Sequence, residues 1–185
     1  MKRLFLCRHG QDEDNANKLL NGHRDTPLTE LGRSQAEAVA AKVAKEHGQD
    51  IDVIVCSPLQ RAHNTAKAIG GAVGKEPTVM PELVERDFGA LSGQPLADIP
   101  KLATKTMELS QVCYFLDGEG VETFDACHER AAKVLAHLNE AYAGRGVLVV
   151  SHGDFGKMLL AHRRGISWQD ALATPFIGNT DLLEL

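Results

Sequence analysis

The sequence predicts an α/β fold, a three-layer, doubly wound, mostly parallel sheet with helices on both faces. Three observations carry that reading. Short apolar runs rich in Val, Ile and Leu alternate with longer segments of helical period, which is the order of βα units. The runs are apolar throughout, as strands covered on both faces are. The chain has 185 residues, 43% of them hydrophobic, within the range of roughly 100–200 residues for one domain. Residues 1–185 are therefore expected to form a single domain.

The elements follow in order. Leu4–Cys7 is the first strand. Thr29 caps a helix whose Ala36, Val39, Ala40, Val43 and Ala44 share a face, with Gly48 just past its end. Ile51–Cys56 is the second strand. Pro58, in a first-turn position, opens a helix through about Ile69, which Gly70 and Gly71 are expected to stop. Thr78–Met80 is a weaker strand. Leu91–Gly118 has poor periodicity and is expected to leave the sheet as a lid over a site at its edge. Phe124–Tyr142 is helical, with Cys127, Ala131, Val134, Leu135 and Leu138 recurring on one side. Val147–Ser151 is a further buried strand, and a helix begins near Phe155. Ser167 caps a short helix, Trp168–Ala173, and Asp181–Leu185 is a weaker final strand.

Charge and composition narrow the partners. Twenty Lys and Arg stand against 25 Asp and Glu, a net formal charge of −5, with no basic cluster of the kind a nucleic-acid binder presents. No run approaches the roughly 18 apolar residues of a membrane span. The start, Met1–Arg8, is too short in its apolar part for a signal peptide. The expectation is a cytoplasmic protein that binds neither nucleic acid nor membrane. Oligomeric state stays open, with a homodimer among the expectations. Cys7, Cys56, Cys113 and Cys127 form no C-x-x-C pair and read as reduced, mostly buried thiols; no zinc site is indicated. Cys7 and Cys56 are expected to end neighbouring strands, which leaves a bridge between them open.

The chemistry collects at the strand ends. The first strand ends in Arg8-His9-Gly10, the second in Ser57-Pro58-Leu59-Gln60-Arg61, and the strand at 147–151 in Ser151-His152-Gly153. Ligands of open α/β sheets bind at the carboxyl ends of strands, so Arg8, His9, Arg61 and His152 are brought to one edge. Arg61 falls in the first turn of its helix, where free amides favour an anion. Two arginines and two histidines converging on a point need an anion among them. Phosphate suits best, because guanidinium forks engage its oxygens in pairs. A neutral imidazole can also attack phosphorus and carry it covalently.

With these residues in place, the sequence resembles the histidine phosphatase superfamily, the phosphoglycerate-mutase-like fold, and within it the alpha-ribazole and broad-specificity phosphatase branch. The matching segments are Arg8-His9-Gly10 with Asn15, Gly22-His23-Arg24-Asp25-Thr26-Pro27-Leu28-Thr29, and Ser57-Pro58-Leu59-x-Arg61-Ala62-x-x-Thr65-Ala66. They continue in Glu82-Leu83-x-Glu85-x-Asp87-Phe88-Gly89, Gly120-Val121-Glu122-Thr123, Ser151-His152-Gly153 and Asn179. The resemblance implies His9 as nucleophile, with Arg8, Arg61 and His152 holding the phosphoryl oxygens. It implies Glu85 as general acid, Asn15 as a phosphate contact, a backbone role for Ser57, and no cofactor or metal. The implied activity is that of a metal-independent, acid-type histidine phosphatase acting on a small phosphorylated metabolite. His23, His47, His63, His128, His137 and His162 read as surface or packing residues, and Trp168 as packing.

Two departures matter. Many members carry Thr or Ser three residues after the nucleophile and an aromatic two further on. Here those places hold Asp12 and Asp14, flanking Glu13. They are expected to face solvent or cap the following turn. The alternative is that they face inward and select a substrate that is cationic or rich in hydroxyls. The lid is also short: between Asp98 and Asp117 its only cations are Lys101 and Lys105, and no arginine occurs between Arg86 and Arg130. A mutase of this family carries an arginine pair there and must keep its phosphoenzyme dry. Phosphatase is therefore expected over phosphoglycerate-mutase-type transfer. A protein phosphohistidine phosphatase and a phospho-ligand binding module without catalysis are the remaining alternatives.

Overall fold

The computed structural model describes residues 1–109 and 112–185. The first half of the chain runs β1 (Arg3–Arg8), α1 (Glu13–Ala16), α2 (Glu30–His47), β2 (Val53–Cys56), α3 (Gln60–Val73) and β3 (Thr78–Val79). After it come α4 (Ile99–Leu102), β4 (Thr106–Leu109), β5 (Val112–Phe115) and α5 (Phe124–Ala141). The chain finishes with β6 (Gly146–Ser151), α6 (Gly153–Arg164), α7 (Trp168–Ala173) and β7 (Leu182–Glu184). The main sheet has the order β3-β2-β6-β1-β7. Its first four strands are parallel, and β7 closes the edge antiparallel to β1.

Side-chain alternation divides the core into two layers. Phe5 and Cys7 of β1 pack with Ile54, Cys56, Leu148 and Val150 under α2 and α3, where Val39, Val43, Ala62 and Ile69 meet them. Leu4 and Leu6 face the other way, with Val147 and Val149, under Ala131, Val134 and Leu138 of α5 and Met158 and Leu159 of α6. Leu4 through Cys7 are all fully buried, which is why the strand sequence shows no polar alternation. Thr29 and Ser167 cap α2 and α7 as the sequence predicts, each accepting from an amide three residues on.

Several boundaries differ from the sequence reading. Helix α3 begins at Gln60, passes through Gly70 and Gly71, and ends at Gly74 in the left-handed region at φ 69°. Glycine in a helix costs only about 1 kcal/mol relative to alanine, and at Gly70 a Cβ would sit 2.3 Å from the Lys75 carbonyl. The glycine there serves close packing, not termination. Helix α6 starts at Gly153, two residues earlier than predicted, with His152 at its cap position. The 91–118 excursion contains an antiparallel pair, β4–β5, in a sheet of its own. The residues between those strands, 110 and 111, lie outside the described residues. Cys7 and Cys56 do not end neighbouring strands. Both are in register with Val150 of β6, which runs between them, so their backbones stand about 10 Å apart, too far for a bridge. Both thiols are free, and burial pushes them up to about 12 and about 11.

The topology creates the site. β1 and β6 are adjacent, yet the helices that follow them lie on opposite faces. Their connections diverge and leave a crevice at the carboxyl ends of the strands. Among the described residues no helix is long and apolar enough to cross a membrane.

Candidate active site

The turn after β1 places Arg8 and His9. It can be tight because Gly10 rests on Gly32 of α2: a Cβ at Gly10 would lie 2.4 Å from the Gly32 carbonyl oxygen, and one at Gly32 would lie 1.9 Å from that of Gln11. His9 is buried, and its Nδ1 donates to the Gly10 carbonyl at 2.7 Å. A carbonyl can only accept, so the proton is on Nδ1 and the lone pair is on Nε2. Burial first, then the charges of Arg61 and Arg8, hold the His9 imidazole well below its ordinary value. The ring is neutral at physiological pH. His152, at the end of β6, lies with its centroid 5.1 Å from that of His9. Burial and the same two arginines depress it likewise. Its Nε2 is 2.8 Å from Ser57 Oγ, and its buried Nδ1 has no hydrogen-bond partner.

Arg61 is fully buried. Its Nη1 donates to the Arg24 carbonyl at 2.6 Å and its Nη2 to the Gly22 carbonyl at 2.8 Å. Gly22 can present that oxygen because its φ is +48°. Arg61 Nε lies 3.2 Å from Asp12 Oδ2, close enough for charge pairing though not aligned for a hydrogen bond. Asp12 is itself fully buried; it caps α1 through the Asn15 amide and accepts from Asn21 Nδ2. So the expected cap is present, and the same carboxylate also faces inward, onto Arg61 and not onto the cavity. Asp14 does not face solvent either. It is buried against Arg24, 2.8 Å from Nε. Both carboxylates are engaged by protein, so neither is available to select a cationic substrate.

The amides at the two helix ends are only partly open to an anion, and at α3 the first of them is taken. There the Gln60 amide donates to Asp25 Oδ1 at 2.7 Å. At α6 the Glu85 carboxylate takes the position. Its Oε1 accepts from the Arg86 and Phe155 amides, and its Oε2 from Gly153 and Asp154, all between 2.8 and 3.2 Å. Burial and the neighbouring Asp154 carboxylate push Glu85 up; the amides and Arg8 oppose them. The α6 terminus is therefore closed to a ligand, and cationic side chains supply the positive charge there. Arg8 Nη1 donates to the Ile177 carbonyl at 2.7 Å, while its buried Nε has no partner.

Asn15 and Asn179 meet at 3.1 Å, and Asn179 Nδ2 also donates to the His9 carbonyl at 3.0 Å. His23 is not merely a surface residue: its Nε2 donates to the Glu85 carbonyl at 2.7 Å. His47 packs on Phe5, and His128 and His162 stack 3.8 Å apart, as packing residues do. Trp168 stacks on Phe124. A cavity of about 500 Å³ extends from Arg8, Asn15 and Glu85 toward the 91–118 segment. Sequence reasoning missed two residues there, Arg86 and Asp154, which pair at 2.9 Å. The only signal was their adjacency to Glu85 and Gly153. Among the described residues no three His, Cys, Asp or Glu side chains converge as a metal ion would need.

A profile of the histidine phosphatase superfamily (branch 1) matches residues 4–185. The chain belongs to this superfamily. It is similar to the adenosylcobalamin/alpha-ribazole phosphatase of Escherichia coli, 30% identical over 168 residues that cover 89% of this chain and 80% of that protein. It is also similar to a 2,3-bisphosphoglycerate-dependent phosphoglycerate mutase of Mesorhizobium japonicum, at 33% over 175 residues, 91% and 84% of the two chains. The chain spans only 43% of the length of the Mycobacterium tuberculosis bifunctional protein it matches at 35% identity. Among solved structures it resembles a mycobacterial glucosyl-3-phosphoglycerate phosphatase in complex with VO3. The TM-score is 0.83 at 26% identity, over 100% of this chain and 90% of that one.

Proposed function

We infer that the chain hydrolyses phosphomonoesters of small metabolites through a phosphorylated His9 and without a metal ion. The observation that supports this best is the state of His9: neutral, with Nδ1 held on the Gly10 carbonyl and Nε2 bearing the lone pair, beside two buried guanidiniums. In the first step the Nε2 lone pair attacks phosphorus. The N–P bond forms as the ester P–O bond breaks, and protonated Glu85 gives its proton to the leaving oxygen. In the second step Glu85, now a carboxylate, takes a proton from water as the water oxygen attacks phosphorus. The N–P electron pair returns to Nε2 and inorganic phosphate departs. Arg8, Arg61 and His152 hold the phosphoryl oxygens and the charge that grows on them, with Asn15 beside them.

The reading takes residues 1–185 as one cytoplasmic domain, with residues 91–118 as a lid over the leaving group. Hydrolysis is favoured over mutase-type transfer because the lysines at 101 and 105 are exposed and do not line the cavity, and Lys101 is paired with Asp98. Para-nitrophenyl phosphate should be turned over between pH 4 and 8 in the presence of EDTA. His9→Ala should lose at least about 10³-fold in kcat. Wild-type turnover should leave an acid-labile, alkali-stable phosphoryl group on the protein. Undiminished activity in His9→Ala would remove His9 from the reaction.

A further inference from the structure

The cavity beyond the phosphate-binding residues has a character the motif does not specify. Arg8, Asn15, Asn21, Glu85, Arg86 and Asp154 supply its charged and amide groups. The rest is walled by apolar side chains from three places: Leu19 and Leu20 before the Gly22 turn, Leu96 and Ile99 around α4, and Val112 to Phe115 along β5. Phe176 lines the same space and is 55% exposed, with the Arg8 guanidinium 5.0 Å from its ring centroid. Leu96, also lining it, is 45% exposed. Two large apolar side chains thus stand open to solvent at one small cavity, and a ligand ring would cover both.

The charges in this space are already matched. Arg86 lies between the rings of Phe115 and Phe124, each 4.1 Å away, and pairs with Asp154. Arg8 is the remaining cation among the lining residues, and it belongs to the phosphoryl group. Asp154 adds negative charge, while Glu85 is the protonated acid when the ester is bound. A second anionic group on the substrate would meet the Asp154 carboxylate, with the one other lining cation, Arg86, fully buried and already paired with it, and would lose its hydration without compensation.

Resting on the phosphatase reading above, we propose that the leaving-group pocket selects phosphomonoesters whose alcohol is uncharged and apolar, ring-bearing above all, and discriminates against phosphorylated carboxylic acids and bisphosphates. A ring esterified to a phosphate held by Arg8 has Phe176 as its immediate neighbour and the β5 wall beyond. The volume of about 500 Å³ is typical of pockets that enclose small organic ligands, about 300–1,000 Å³. Specificity then comes from apolar contact and from the absence of a partner for a second anion.

The test uses the full chain and two alkyl phosphates, 2-phenylethyl phosphate and 3-phosphoglycerate. Both release a primary alcohol, so their ratio of kcat/KM reads the pocket more than the chemistry. The phenylethyl ester should be favoured about 30-fold or more, chiefly through KM. Leu96→Arg, at a half-open rim position that buries no new charge, should narrow that ratio at least about fivefold by improving the acid substrate. A ratio near one, or a preference for 3-phosphoglycerate, overturns the proposal. If no ester is hydrolysed, para-nitrophenyl phosphate included, the phosphatase reading fails on its own. The pocket is then read by calorimetric binding of 2-phenylethylphosphonate against 3-phosphonopropionate. Tighter binding of the aromatic phosphonate supports the proposal, and equal or weaker binding overturns it.

Discussion

On the side of the cavity that Arg8 lines, Arg8, His9, Arg61 and His152 stand at the ends of three buried parallel strands or in the turn of helix that follows one. Protein groups hold most of them in place: Asp12 pairs with Arg61, the Gly10 carbonyl holds His9, and Ser57 meets His152. On the other side, the walls come from α4, from Leu19 and Leu20, and from β5 of the β4–β5 pair, which hydrogen-bonds to no strand of the main sheet; Phe115 packs with Leu20, Phe88 and Leu91 in a small satellite cluster, while Tyr114 joins the core under α5. The first end is built to fix charges within tenths of an ångström. The second is built to offer apolar area. That division assigns the chemical step to the sheet edge and the choice of substrate to the excursion, and mutations at the two ends should separate the same way.

Among the variants that probe this division, Asp12→Ala should have the largest effect on stability and activity together. The substitution leaves Arg61 buried without its anion and unties α1 from Asn21. Breaking a buried pair of this kind costs about 3 kcal/mol or more of stability, read in urea unfolding. The accompanying loss of kcat/KM should reach about 100-fold for every substrate alike, because the phosphoryl grip is common to all. A loss confined to one class of substrate would mean that Asp12 speaks to the leaving group, and the division above would fail.

Glu85→Gln comes next. Glutamine keeps the size of the side chain but cannot deliver a proton. Turnover of alkyl phosphates should fall about 100-fold, within the usual range for general acid catalysis. Para-nitrophenyl phosphate, whose leaving oxygen needs little protonation, should fall less than tenfold. Equal losses would show that the carboxylate only organises the α6 terminus, to which it is bound by three amides.

These two ends were unequally legible in the sequence. Arg8, His9, Arg61 and His152 could be read because each follows an apolar run or sits at a helix start, and strand ends in such a fold converge by topology. Asp12 was legible as a cap, since capping is local, but its hold on Arg61 was not. That contact depends on the Asn21–Asp25 turn wrapping a side chain nearly forty residues away. The β4–β5 pair escaped because Thr106–Leu109 buries only every second residue, and only in part, so its apolar signal is weak. Glu85 could be placed at the site, but the amides that receive it could not, because α6 begins two residues before its first apolar side chain.

Smaller effects belong to the apolar end. Leu96→Ser removes apolar area at the rim without touching charge. It should raise KM for 2-phenylethyl phosphate about three- to tenfold, the scale of one or two buried methylenes, while inhibition by inorganic phosphate stays as it was. A weakened phosphate affinity would show that the rim also orders Arg8.

Lys157 joins the two ends, and its effect should be the smallest. It lies almost wholly buried in α6, and its Nζ donates to the Thr174 and Pro175 carbonyls at 2.8 and 2.6 Å and to the Thr174 hydroxyl. This strap precedes Phe176, which faces the cavity, and Ile177, whose carbonyl holds Arg8. Burial lowers Lys157 to about 8, against about 10.4 for an unfolded lysine. Between those values the unfolded chain binds more protons than the folded one, so stability rises with pH through that window and is flat in this respect below it. Lys157→Met abolishes the slope. The difference in unfolding free energy, wild type minus variant, should therefore grow by on the order of 1–2 kcal/mol from pH 8 to pH 10.5; the Cys and Tyr titrations common to both proteins cancel in the subtraction. A difference that shrinks over that range would mean that the folded protein holds Lys157 more tightly as a cation than water does. The three oxygen contacts would then outweigh burial, and the strap would be an electrostatic clamp on the Phe176 segment instead of a buried amine kept at the edge of neutrality.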